Sequence, residues 1–303
     1  FQLSTKSAGT KKKSPSAAGR IYTSSSVLST GDWYKIGVTR DGVYKLSYAF
    51  LQNMGMDPSS VNPQNIRIYG NGGGMLPIKN SEYRPDDLIE NAIFLEGQND
   101  GKLDPDDYIL FFAQGPHRWV LNGNFFQHRQ NLYTDTSYYF ITADLGAGKR
   151  IAPKANLSDF TKVVTTFNDY GFYEKDLFNP IRSGKDWLGE TFNIVTDYDF
   201  IFSFPNISNQ SPVSLRTMVA GRTTSGQNIF SVIANGQTIG SIAINPISGN
   251  YTGSFGISAE GTSSFIPSSS NINIHLSMSK GSSGAQGWLD FIEVNVRRNL
   301  SVA

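Results

Sequence analysis

The strongest constraint on the fold is a regular series of short alternating segments in the second half of the chain. In each segment apolar residues alternate with polar ones, and Gly, Ser, Asn or Pro separates it from the next, as is typical of antiparallel strands joined by turns. The segments span residues 198–204, 214–220, 229–234, 238–244, 251–258, 271–278 and 288–296. This pattern predicts an antiparallel β-sandwich, jelly-roll-like, over residues 161–303.

The clearest turn in this series is Asn235-Gly236, which lies between two alternating segments. Both central positions of a type I′ turn require positive φ, and Asn and Gly are the residues that adopt it most readily. We therefore expect the segments 229–234 and 238–244 to form a hairpin.

Residues 31–160 are predicted to form a separate N-terminal domain, α+β or β-rich, with short helices. A hairpin is expected around Asp41-Gly42, with strands before and after this turn. Ser47 is a suitable N-cap for a short helix over 48–54, and Gly55 is a suitable residue to end it. Further strands are predicted at residues 65–69, 91–95, 107–113 and 137–143.

The first 30 residues are predicted to be a flexible basic tail, since residues 1–20 contain five Lys or Arg and no acid. The remainder is mildly acidic and has no basic stripe, so no nucleic-acid partner is expected. No apolar run approaches the roughly 20 residues that a membrane helix needs, so no membrane span is expected. Because the chain begins with Phe1 and not with Met, we expect any secretory signal to have been removed. The absence of Cys together with abundant Ser, Thr, Asn, Gly and Tyr fits a bacterial exported or surface protein.

The absence of cysteine removes a large group of functions, because the 303 residues include no Cys and only three His. Thiol nucleophiles, disulfides and thiolate metal sites are excluded. His117 and His128 lie in loop-like sequence and are predicted at the surface, whereas His275 is predicted on the solvent face of a strand. No G-x-S-x-G serine motif is present. No cofactor is expected apart from a structural calcium ion.

A glycine-rich segment, Gly70 to Gly74, follows a predicted strand and resembles a phosphate-binding loop only superficially. It lacks the following Lys-Ser or Lys-Thr pair, and Pro77 prevents an immediate helix. We interpret it as a tight loop or bulge.

An acidic segment, residues 96–107, partly matches the twelve-residue calcium loop when Gly101 takes the sixth position. The oxygen ligands predicted for a structural calcium ion are Asp100, Asp104, Asp106 and Asp107. No helices are predicted on either side, so the alternative is a turn-rich hairpin in which the Asp-Gly and Asp-Pro pairs form turns.

Two further patterns remain open. Glycoside hydrolysis requires two carboxylic acids that face each other across a cleft. Two sets of carboxylates could supply them, namely Asp86 and Asp87 with Glu90, or Asp197 with Asp199. The four tryptophans, Trp33, Trp119, Trp187 and Trp288, are interpreted as core anchors or, alternatively, as a sugar-stacking platform.

Four long segments carry a family resemblance. They are GDWYKIGVTRDGVYKLSYAFLQNMG, NPQNIRIYGNGGGMLP, RPDDLIENAIFLEGQNDGKLDPDDYILFFAQGP and, near the C-terminus, GWLDFIEVNVRRNL. They resemble the region that precedes the peptidase domain in the PorU-type sortases of the Bacteroidetes type IX secretion system, which are gingipain-related cysteine peptidases. The resemblance is strong over residues 21–150 and looser over 160–303.

The resemblance implies an exported protein at the outer-membrane surface or outside the cell. In such a protein a Cys-His pair downstream would cleave C-terminal sorting signals from cargo proteins. No catalytic residue of the family can be assigned to a position in this sequence. We therefore expect a non-catalytic segment whose partners are a downstream peptidase domain of the same chain, cargo proteins or secretion components. The alternative is a carbohydrate-binding surface module.

Overall fold

The computed structural model describes residues 22–155, 162–184 and 186–301, and these residues are mostly β. They form two compact units. The first unit comprises residues 22–118 and 130–154, and the second comprises residues 119–129 and the chain from 155 onward. Most of the predicted tail, residues 1–21, lies outside the described residues. The predicted domains were continuous segments, whereas residues 119–129 group with the second unit.

Nine strands and an α-helix lie between residues 34 and 142. In chain order they are β1 (Tyr34–Val38), β2 (Gly42–Ser47), α1 (Tyr48–Asn53), β3 (Arg67–Tyr69), β4 (Glu90–Asn91), β5 (Phe94–Glu96), β6 (Tyr108–Ala113), β7 (Arg118–Asn122), β8 (Phe125–Arg129) and β9 (Ser137–Thr142). Short 3-10 helices span Val27–Ser29, Pro58–Ser60, Pro63–Asn65 and Gln98–Asp100.

The remaining strands follow after residue 165. They are β10 (Thr166–Glu174), β11 (Thr191–Phe192), β12 (Asp197–Ser203), β13 (Val213–Arg222), β14 (Asn228–Ala234), β15 (Gln237–Ile244), β16 (Ile257–Phe265), β17 (Asn271–Ser279) and β18 (Gln286–Asn299).

The first unit contains two sheets that share one core. The strand order is β1-β9-β3-β4 in one sheet and β2-β6-β5 in the other. The predicted hairpin at Asp41-Gly42 is wrong, because β1 pairs with β9 while β2 pairs with β6. Asp41 instead accepts a hydrogen bond from the backbone N–H of Gly115 at 2.7 Å, so the turn carries the chain from one sheet to the other.

Helix α1 confirms the prediction of a short helix after Ser47. The Ser47 hydroxyl accepts from the N–H of Phe50, which is the expected N-cap contact. Gly55 follows the helix with φ of 92°, a left-handed conformation that favours glycine. Leu51 is the buried residue of the helix and belongs to the core of the first unit.

The glycine-rich segment is a tight loop, as the sequence indicates. A Cβ at Gly73 would lie 1.5 Å from the carbonyl oxygen of Gly115, and one at Gly70 would lie 2.4 Å from the ring of Tyr139. Glycine is required here because another backbone and a packed ring approach so closely.

The second unit is a jelly roll. One sheet has the order β10-β18-β13-β16, with β11 added beside β18, and the other has the order β12-β17-β14-β15. All of these ladders are antiparallel, and the chain alternates between the sheets in the manner of two Greek keys. Buried side chains from both sheets form one core, which includes Phe192, Leu215, Phe230, Ile272 and Val294.

The strongest turn prediction is confirmed. Asn235 and Gly236 have φ of 47° and 85°, and β14 pairs with β15 across this turn. The predicted strand at 251–258 is wrong in position, because Gly253 closes a turn onto Asn250 and the strand begins only at Ile257.

The sequence pattern also misses β10 and the hairpin formed by β7 and β8. In β10 a position that faces the sandwich core is occupied by Gly171, where an added Cβ would lie 3.2 Å from the ring of Phe204. A glycine fits this crowded position but removes the apolar alternation on which strand prediction depends.

Candidate functional site

The β7–β8 hairpin belongs to the second unit and packs on its outer surface, against β10 and β18. The side chain of Asn295 on β18 anchors the hairpin backbone. Its Oδ1 accepts from the N–H of Phe126 at 2.7 Å, and its Nδ2 donates to the carbonyl of the same residue at 2.9 Å. One amide side chain thus satisfies both polar groups of a strand residue, as a neighbouring strand would.

Aromatic rings fill the space beneath the hairpin. Trp119 lies 4.2 Å from the ring of Tyr170, measured between centroids, and Phe126 lies 4.6 Å from the same ring. The imidazole of His128 stacks on Phe172 at 4.5 Å and meets Phe291 edge-on at 4.9 Å. The hairpin is therefore held by an apolar layer as well as by hydrogen bonds.

Five ionisable side chains form a continuous chain of contacts between the hairpin and the sheet, and we call this set the ion cluster. It consists of Glu174 on β10, His128 on β8, Glu293 on β18, Arg216 on β13 and Glu260 on β16. The cluster therefore joins β10, β18, β13 and β16 of one sheet to the hairpin.

Glu293 is the centre of the ion cluster and is only 1% exposed. Its two oxygens accept from Nε and Nη2 of Arg216, at 2.6 and 2.9 Å. The backbone N–H of His128 donates to it at 2.8 Å, and the Nδ1 of the same residue also contacts it. A buried carboxylate with this many donors is stabilised in its charged form.

His128 lies between two carboxylates, because its Nε2 contacts Glu174 while its Nδ1 contacts Glu293. Burial by itself lowers the pKa of His128, but the hydrogen bonds and charges of Glu174 and Glu293 outweigh it and raise the pKa above its ordinary value. Burial likewise acts to raise the pKa of Glu293, and Arg216 and His128 overcome it, so that the pKa falls to about 2. At pH 6, below the ordinary value for imidazole of 6.5, the pair is therefore an imidazolium and a carboxylate.

Asp290 stands at a β-bulge beside the ion cluster. In the ladder of β13 with β18, Met218 faces Phe291 and Val219 faces Leu289, so Asp290 is the extra residue. Burial raises the pKa of Asp290 to about 6, and the negative charge of Glu174 adds to this effect. The positive charge of His128 opposes it.

An open cleft of about 360 Å³ lies beside the ion cluster, at the edge of the hairpin. Phe125 and Gln127 of β8 line one side, and side chains of β13, β16 and β18 line the other. Arg216 and Glu260, which form the exposed end of the ion cluster, also line the cleft. A concave surface that combines apolar lining with a few placed polar groups is the usual setting of a small-ligand site.

The prediction of a surface role for His128 is wrong. The residue is 9% exposed because the hairpin turns it toward the sheet. His117 lies in a loop, where its Nδ1 accepts from the N–H of Asn131 at 3.2 Å. His275 lies on the outward side of β17, as predicted, and pairs with Asp199 at 3.1 Å.

The residues predicted to hold calcium lie between β5 and β6. Asp107 accepts from the backbone N–H of Asp104 at 2.8 Å, and Asp100 accepts from that of Lys102 at 3.0 Å. Asp106 is exposed. Across residues 22–155, 162–184 and 186–301, no group of three His, Asp or Glu side chains is placed to hold a metal ion. The hairpin alternative explains these contacts as turn hydrogen bonds, and the calcium site stays a prediction.

The acids and tryptophans that were candidates for sugar chemistry include residues with structural roles. Asp86 accepts from the backbone N–H of Thr23, and Asp87 accepts from that of Val27, which fastens the first described residues to the first unit. Trp288 is 2% exposed and stacks on Phe178, so it is a core anchor. No helix among the described residues is long and apolar enough to cross a membrane.

The chain is similar to a solved structure of dimeric latent PorU from Porphyromonas gingivalis, with a TM-score of 0.75 and 24% sequence identity. The match covers 91% of this chain and 25% of the PorU chain. The chain thus has a PorU-like fold and spans about a quarter of that protein's length. No family model matches the chain, and no curated protein sequence does.

Carbohydrate-binding modules are matched much more weakly. The CBM36-1 domain of a multidomain xylanase from the hindgut metagenome of Trinervitermes trinervoides has a TM-score of 0.29 and 13% identity, covering 42% of this chain and 96% of the module. A CBM36 module in complex with calcium and xylotriose has a TM-score of 0.25 and 16% identity, covering 43% of this chain and 99% of the module. At such TM-scores neither likeness carries an argument about function.

The raised pKa of His128 predicts pH-dependent stability. Its stabilising effect is fully present below the unfolded value of about 6.5 and is lost as the pH rises through the raised folded pKa. We expect His128→Gln to lower the free energy of unfolding by about 3 kcal/mol at pH 6 and by less at pH 9. Urea unfolding at both pH values measures this difference.

His275→Gln is the matched control, since its ion pair with Asp199 is exposed to solvent and should contribute little to the free energy of unfolding at either pH. If His128→Gln lowers the free energy of unfolding by the same amount at pH 6 and pH 9, the assignment of His128 as an imidazolium is contradicted.

The calcium prediction has its own test. If the loop binds calcium, about 5 mM Ca²⁺ should release heat in calorimetry and raise the melting temperature, because extracellular sites have dissociation constants of about 10⁻⁴ to 10⁻³ M. Asp104→Asn should remove both effects, whereas Asp135→Asn, at an exposed position outside the loop, should retain them. Absence of heat and of any melting shift in the unmodified protein would eliminate the site.

Proposed function

We propose that this chain is a non-catalytic segment of a sortase-like cysteine peptidase of the type IX secretion system. In this proposal it supports or positions a peptidase domain that follows it in the same polypeptide. The observation that carries the proposal is the PorU-like fold over 91% of the chain, which corresponds to 25% of PorU. The four long sequence segments that resemble the PorU-type sortases support the same relationship.

The chemistry of the chain agrees with a supporting role. A cysteine peptidase requires a thiolate and a histidine base, and the 303 residues contain no Cys. His128, the most buried of the three histidines, is engaged on both ring nitrogens by Glu174 and Glu293. An imidazolium held by two carboxylates has no free nitrogen with which to accept a proton, so it is unsuited to general-base catalysis.

The proposal includes a location and a set of partners. The protein would be exported and would act at the outer-membrane surface or outside the cell. Its partners would be the peptidase domain, together with cargo proteins or components of the secretion system. The jelly roll offers the outer surfaces of two antiparallel sheets for such contacts.

The first test is the gene itself. We expect the reading frame to continue past Ala303 into a peptidase domain that contains a Cys and a His in peptidase context. A stop codon at that point, or a continuation without this pair, would contradict the proposal.

The second test uses the full-length protein and measures cargo cleavage per folded molecule. Replacing the downstream cysteine with Ala should abolish cleavage. Replacing His117, His128 or His275 with Gln should leave cleavage per folded molecule within about twofold, although His128→Gln should lower the yield because it breaks a buried ion pair. A loss of cleavage of 100-fold or more by a well-folded histidine variant would place catalytic chemistry in this chain.

A further inference from the structure

The outer surface of the sheet β10-β18-β13-β16 is divided into two halves. The hairpin covers the half formed by β10 and β18, whereas the half formed by β13 and β16 is open to the cleft. Polar side chains lie on this open half at neighbouring positions, since Ser214 faces Ser264 and Arg216 faces Thr262 across the ladder. The cleft therefore has a polar floor, with the edge of β8 as its wall.

Arg216 presents spare hydrogen-bond donors in a fixed position. Its Nε and Nη2 each donate to Glu293, and its Nη1 donates to Glu260 at 2.8 Å. A guanidinium carries five N–H groups, so these three bonds leave two of them for a ligand. The group also lies 4.6 Å from the ring centroid of Phe291, which restricts its motion further.

Acceptors and hydroxyls lie next to these donors. The Glu260 side chain is 38% exposed, and only its Oε2 accepts a hydrogen bond from Arg216. Its Oε1 accepts none from the described residues. The hydroxyls of Ser214, Thr262 and Ser264 likewise make no hydrogen bond to another group of the described residues. Each hydroxyl can both donate and accept. The floor thus offers donors, acceptors and groups that serve as either.

The charges of the cleft disfavour an anionic ligand, because the ion cluster contains three carboxylates and two cations. Arg216 is neutralised by Glu260 and Glu293, so no strong positive charge remains to attract an anion. Phe125, which is 48% exposed, adds an apolar ring to the wall. The volume of about 360 Å³ lies at the lower end of the range of about 300 to 1,000 Å³ for small-ligand sites.

We propose that this cleft binds a neutral saccharide of one or two sugar rings. A sugar has vicinal hydroxyls that pair with the guanidinium and the carboxylate, and a C–H surface that packs on an aromatic ring. The residues that would bind it are Arg216, Glu260, Thr262, Ser264 and Phe125. None of the four tryptophans lines this cleft, so the site differs from a tryptophan stacking platform.

The test uses the purified protein and a panel of free sugars: glucose, galactose, mannose, xylose, N-acetylglucosamine, cellobiose and maltose. Saturation-transfer NMR detects binding, and calorimetry gives the dissociation constant. We expect at least one sugar to bind. Thr262→Phe should weaken its binding at least tenfold by filling the cleft, and Glu260→Gln should weaken it several-fold.

Ser258→Phe is the matched control. Ser258 is an exposed residue of the same strand, two positions before Glu260, and it does not line the cleft. Its variant should bind the sugar as the unmodified protein does, and melting curves should show that all variants are folded.

Three outcomes would overturn the saccharide proposal. They are the absence of binding by any sugar of the panel at about 50 mM, binding that Thr262→Phe leaves unchanged, and equal loss in the folded Ser258→Phe variant. None of them bears on the proposed supporting function, which rests on the fold and on the missing cysteine and is tested by the gene continuation and by cargo cleavage.

Discussion

The hydrogen bonds of Glu293 hold the β7–β8 hairpin to the sheet of the second unit. This carboxylate lies almost completely out of water, and an unpaired charge in that position would cost several kcal/mol. Arg216 from the neighbouring strand and His128 from the hairpin donate the hydrogen bonds that stabilise this buried charge. Neither partner replaces the other, because Arg216 satisfies Glu293 within the sheet, whereas His128 ties it to a segment 165 residues earlier in the chain.

The consequences of this contact extend across the sheet. The hairpin covers β10 and β18, fills the space beneath with aromatic rings and leaves β13 and β16 open. The same Arg216 that satisfies Glu293 also reaches Glu260 at the rim, so one guanidinium links the buried end of the ion cluster to the cleft. The rigid support of the hairpin and the polar floor of the cleft thus depend on a shared set of charges.

Much of the fold was predictable from local sequence, because alternation and turn chemistry act over a few residues. The capped helix at Ser47, the Asn235-Gly236 hairpin and the jelly-roll-like sandwich are confirmed. The ion cluster was not predicted, since Glu293 occupies an outward position of β18, which local alternation assigns to solvent. A signal was present, because Phe291 lies in β18 at the same outward spacing as Glu293, and an aromatic on the outer side of a strand suggests that something covers it.

A double-mutant cycle between His128 and Glu293 tests the central claim, that this buried pair joins the hairpin to the sheet. Unfolding free energies at pH 6 of the unmodified protein, His128→Gln, Glu293→Gln and the double variant give the coupling energy. The account predicts a coupling of about 2 kcal/mol or more. A coupling below about 0.5 kcal/mol would contradict it, because the two substitutions would then act independently.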